Sequence, residues 1–144
     1  MSWAESVGQR YQEKEYIERL MAEKSVQDRR TLDAKGRLLW GELRAAIGKC
    51  CSEFNSTPGN RGRLSFNFQA DTCKAFFTGQ YRRIVGTFEG DTFAFRGNGG
   101  TAFDSIWKIK LTKDGLDVWL SDGNNSPVTV DEVAETIVEA LLLS

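Results

Sequence analysis

The sequence predicts an α+β fold: one or two N-terminal helices, an antiparallel meander of about six strands, and a C-terminal amphipathic helix packed on the sheet. Three observations carry this. Between Leu64 and Asp122, short apolar runs alternate with turns rich in glycine. Residues 1–54 are rich in Glu, Lys, Arg, Ala and Leu and contain no proline. Residues 129–143 repeat apolar side chains at helical spacing. The helices need the sheet and the sheet needs a cover, so residues 1–144 read as one domain.

Trp3, Val7 and Tyr11 begin a weak stripe on the first helical stretch, and Tyr16, Ile17, Leu20 and Met21 form a patch. A heptad frame puts Arg10 and Lys14 in the seam, which argues against a self-sufficient coiled coil. Two readings stand: a surface helix packed by one edge, or a projecting arm whose apolar partner lies in another subunit. Ser25 to Leu32 lacks a stripe and reads as a bend or as solvated helix, with Thr31 a candidate cap for a second helix. From Leu32 to Phe54 the stripe is clear, and Gly36, Gly41 and Gly48 are expected to mark close approach of another backbone. Pro58 and Gly59 end the helical part.

Leu64 to Gln69 alternates strictly, with Leu64, Phe66 and Phe68 on one face. Gly90-Asp91 is the turn of a hairpin that sets Phe88 opposite Phe93 and Gly86 opposite Phe95. Asp104–Thr112 and Leu116–Ser121 form a further hairpin around Thr112-Lys113-Asp114-Gly115. Its expected pairs are Leu111–Leu116, Ile109–Val118, Trp107–Leu120, Lys110–Asp117 and Lys108–Trp119. Thr129-Val-Asp-Glu132 is a capping box that opens the last helix.

Composition removes several functions. The chain has no histidine, so it has no His-based triad and no His metal site. The adjacent Cys50 and Cys51, with Cys73, lack the spacing of a zinc site or a disulfide framework and read as small buried hydrophobes. No cofactor and no metal is predicted, and no catalytic residue is assigned. The net charge of −1 argues against nucleic acid as a partner. No apolar run suits a membrane span and no secretory signal opens the chain, so the expected location is cytoplasmic. The charge is uneven: residues 1–63 carry 12 basic and 9 acidic groups, whereas residues 125–144 carry 4 acidic and no basic ones.

Two surface constellations remain. Gly97-Asn98-Gly99-Gly100, with Arg96 and Asp104 beside it, is a candidate ligand or anion lid, although the helix that a phosphate cradle requires does not follow. Arg82, Arg83, Lys108, Lys110 and Trp119 form a candidate patch if the outer sheet face is continuous. The function expected is a non-enzymatic interaction module, for another protein or for self-association through the N-terminal helix. The alternative is a domain that binds a small apolar or anionic ligand in a pocket between curved sheet and helix.

Overall fold

The computed structural model describes residues 2–143. Helix α1 runs unbroken from Trp3–Asn55, 53 residues, and is about 80 Å long. The Ser2 hydroxyl opens it, accepting from the Glu5 N–H at 3.2 Å. The segment Ser25 to Leu32, read as a bend or as solvated helix, is helix throughout. The exposed Arg29–Asp33 pair spans one turn of it, and Thr31 caps nothing: its hydroxyl donates back to the Gln27 carbonyl at 3.1 Å.

At the other end, Asn55 binds both backbone groups of Leu64, at 2.9 Å and 2.8 Å, and so fixes the return of the chain into the sheet. The strands are β1 (Leu64–Gln69), β2 (Thr72–Phe77), β3 (Arg83–Glu89), β4 (Thr92–Asn98), β5 (Asp104–Leu111), β6 (Val118–Ser121) and β7 (Pro127–Val128). They pair antiparallel in chain order, one more than the six expected, because Pro127-Val128 closes back on β6. Helix α2 (Val130–Leu143) follows, its Glu132 N–H capped by the Thr129 hydroxyl at 3.1 Å. It packs chiefly alongside α1 and reaches β2 and β3, on the same side of the sheet.

The core lies between this helical layer and the inner sheet face. Trp40 is its centre, with ring centroids of Phe88, Phe93 and Phe95 at 5.8, 5.2 and 6.0 Å. The expected β3–β4 register is present: Phe88 faces Phe93, and Gly86 faces Phe95, whose ring occupies the place of a Cβ on Gly86. Gly36 and Gly48 do mark close approaches, but by side chains rather than by backbone. Cβ atoms there would meet Ile109 Cδ1 at 3.0 Å and the Phe66 ring at 2.7 Å, while Gly41 faces open space.

The β5–β6 hairpin differs from expectation. Leu111 pairs with Val118, Ile109 with Leu120, Lys110 with Trp119 and Lys108 with Ser121, a shift of two residues. The loop therefore spans Thr112–Asp117. It is closed by Thr112 N–H to Asp117 O at 3.0 Å, and Asp114 accepts from Leu116 N–H at 3.0 Å. Those bonds hold Leu116 in the loop, 74% exposed, rather than in the ladder. A shift of two keeps the side chains that remain in the ladder on their predicted faces, so Ile109 and Leu120 stay buried.

Candidate interaction surface

Helix α1 is two structures in one. From Gly36 to Phe54 its stripe is buried, and it is fastened to the β1–β2 turn: Trp40 Nε1 donates to Ala70 O at 3.1 Å, Arg44 Nη1 to Gln69 O at 3.1 Å, and Arg37 pairs with Asp71 at 3.3 Å. Residues 7–27 are all exposed. Asp28 is the next half-buried side chain, near Gly115, and Arg29 lies by Gly90. Residues 3–27 therefore form an arm about 37 Å long that stands clear of the domain. Its large apolar side chains face water: Trp3 is 81% exposed, Met21 67%, Tyr11 60% and Ile17 54%. Scattered exposed apolar residues are ordinary, but eight on one helix without support from its own domain are a concentration of them.

The glycine loop is packed rather than open at two of its positions. A Cβ on Gly97 would run into the Thr101 carbonyl, and one on Gly99 (φ 69°) into the Tyr81 carbonyl. Gly97 N–H also donates to Phe103 O at 2.7 Å. These glycines admit close backbone contact, whereas Gly100 (φ 95°) faces open space. Arg96 and Asp104 stand opposite each other in β4 and β5 and form an exposed pair at 3.8 Å. Asp104 is thus the solvated partner of Arg96. Behind the loop, the Thr101 hydroxyl is buried with no partner among the described residues.

The five residues of the candidate patch are divided. Lys110 and Trp119 meet across β5–β6, with the ammonium 5.9 Å from the ring centroid, and Lys110 also donates to Asn125. Lys108 lies on the same outer face, by a groove of about 380 Å³ lined by Ile106, Lys110, Asp122 and Asn125. Arg83 is at the far end of β3, paired with Phe76 and Asn98. The row beside it holds Lys74, Val85 and Arg96, so Lys74, singled out for neither constellation, joins Arg96 as a basic residue on this face. Strict alternation along β2 already places Lys74 outward.

Arg82 does a different task. Its Nη2 donates to the Leu141 carbonyl at 2.6 Å, and its guanidinium lies 5.0 Å from the Phe77 ring centroid. Helix α2 carries no basic residue in its last turn, so Arg82 brings a cation to its C-terminal end from the sheet.

The space under α1, where the alternative reading puts a ligand pocket, is occupied by the Trp40, Phe93 and Phe95 rings, each 2% exposed or less. Further grooves lie elsewhere on the described surface. A charged one of about 320 Å³ sits where the arm leaves the domain, lined by Arg29, Asp33, Arg37, Asp71 and Glu89. A more apolar one of about 480 Å³ separates the end of α1 from α2, with Phe54, Val138 and Leu142 at its walls and Glu53, Glu135 and Glu139 around them.

Cys50 borders that second groove. Burial raises its pKa, and Glu135 and Glu53 raise it further. Burial pushes Cys51 up to about 11 and Cys73 up to about 12. These thiols are held protonated at neutral pH, the opposite of what a nucleophile requires. Among the described residues no helix is long and apolar enough to cross a membrane.

Comparison with models of known protein families, with curated proteins and with solved structures gave no match for this chain.

Proposed function

We propose that this chain is a protein-interaction module whose docking element is the N-terminal part of α1. One observation carries the reading: a helical arm of residues 3–27 with eight exposed large apolar side chains and no support from its own domain. In proteins most helix stability comes from packing, which this stretch does not find on its own domain, so a bound partner would supply the burial that the arm lacks. The domain is the anchor, holding α1 by Trp40 and the bonds to the β1–β2 turn. The reading also places the protein in a reducing compartment such as the cytoplasm, supported by three free cysteines.

The test compares the intact chain with a variant in which Trp3, Val7, Ile17 and Met21 are all serine. The intact chain is expected to associate, with itself or with a captured polypeptide, and the variant to sediment alone and capture nothing while melting at the same temperature. Identical behaviour of the two chains would end this reading.

A further inference from the structure

We infer that the partner of the arm is a second copy of this chain, laid antiparallel, with residue i of one copy level with residue 24 − i of the other. The inference rests on the arm's being the docking element and adds what occupies it. The evidence is a symmetry in the arm. Spacings of 4, 3, 4, 3 and 4 place Trp3, Val7, Arg10, Lys14, Ile17 and Met21 along one seam of an α-helix. That seam reads the same class of residue from both ends: large apolar at 3, 7, 17 and 21, basic at 10 and 14. Its centre is residue 12. A second copy turned end for end sets Trp3 on Met21, Val7 on Ile17 and Arg10 on Lys14, each twice by the two-fold axis.

The basic layers suit this arrangement. Glu13 flanks the seam, and in the antiparallel register the Glu13 of one copy falls one residue's rise, about 1.5 Å along the axis, from the level of Arg10 in the other. Two carboxylates thus converge on the two central basic layers. A parallel pair sets Glu13 of each copy against Glu18 of the other, away from the basic layers, whereas the antiparallel pair brings the two Glu13 side chains together over the four central basic groups, which offset their mutual repulsion. A central polar layer costs stability and fixes register and orientation. Tyr11 and Leu20 flank the seam and widen its apolar area.

The domains also fit. In this register Trp3 of one copy is level with Met21 of the other. The chain reaches the domain at Asp28, seven residues and about 10 Å further on. The two domains therefore sit at opposite ends of the paired arms without collision.

The experiment uses the full chain in a Cys50→Ala background, since Cys51 and Cys73 are buried. Chains carrying Val7→Cys or Ile17→Cys, distinguished by a tag, are mixed and oxidised. The expected product is the disulfide between positions 7 and 17, outnumbering 7–7 and 17–17 links. Without oxidation, sedimentation should show twice the chain mass, lost with Ile17→Glu at unchanged melting temperature. A predominant 7–7 link, or a monomer up to about 0.1 mM, overturns the antiparallel dimer. The broader reading outlives such a result if the intact arm captures a different polypeptide, and falls with it if the arm captures nothing.

Discussion

Two stretches of one helix make the most informative contrast in this molecule. Residues 36–54 and residues 3–27 share the same backbone hydrogen bonding and the same lack of proline. The first stretch places Trp40, Leu43 and Ile47 at 2% exposure or less, while the second leaves residues 7–27 in water. Helix propensity is therefore not what separates them. What differs is a surface to pack against, and in water most of the stability of a helix comes from such packing. Four of the arm's eight exposed large apolar residues, Trp3, Val7, Ile17 and Met21, share one helical seam.

The contrast is broken most severely at Trp40. Trp40→Ala removes the ring that touches Phe88, Phe93 and Phe95 and also a hydrogen bond to Ala70. A loss of about 3–5 kcal/mol is expected in urea unfolding. Serine at Met21, on the arm, should leave the unfolding of the domain within about 0.5 kcal/mol of its starting value.

A smaller effect comes from pH. Cys51 and Cys73 are protonated in the fold up to about 11 and 12, against 9.0 for an unperturbed thiol. Below pH 9 both states hold the proton and these thiols add no pH dependence. Above it the unfolded chain sheds protons that the fold retains, so stability falls by about 1 kcal/mol per pH unit for each thiol. Urea midpoints measured from pH 8 to pH 10.5 should fall less steeply in Cys73→Ala than in the intact protein. Equal slopes would mean that Cys73 ionises in the fold as readily as in the unfolded chain.

The smallest effect sharpens the contrast from the arm side. Gly8 faces open space, so Gly8→Ala adds up to about 1 kcal/mol of local helix stability. Amide exchange around residue 8 should slow in a dilute sample, with no change in the melting temperature of the domain.

Much of the sheet was legible in the sequence because alternation and glycine placement are local. The pairs Phe88–Phe93 and Gly86–Phe95 follow from one turn, Gly90-Asp91. The β5–β6 register was less legible: Leu116 looks like a ladder residue until Asp114 and Asp117 take the backbone bonds around it. The continuity of α1 was obscured by Gln27-Asp28-Arg29-Arg30, which has no apolar side chain, yet a solvated helix turn needs none. The anchoring by Arg82 could not be read at all, because its partner carbonyl at Leu141 lies 59 residues away. Within the glycine loop, the Arg96–Asp104 pair was accessible in principle, since both follow from the β4–β5 register.

The unbroken course of α1 also has a mechanical meaning. With no proline between the anchored and the free stretch, α1 is one continuous helix from the Trp40 contact with the β1–β2 turn to Trp3, the geometry of a lever. A tilt of about 10° at Trp40 would carry the tip through about 10 Å, since Trp3 lies about 55 Å along the helix from it. A displacement imposed at Trp3 would thus be passed to the sheet through unbroken helix.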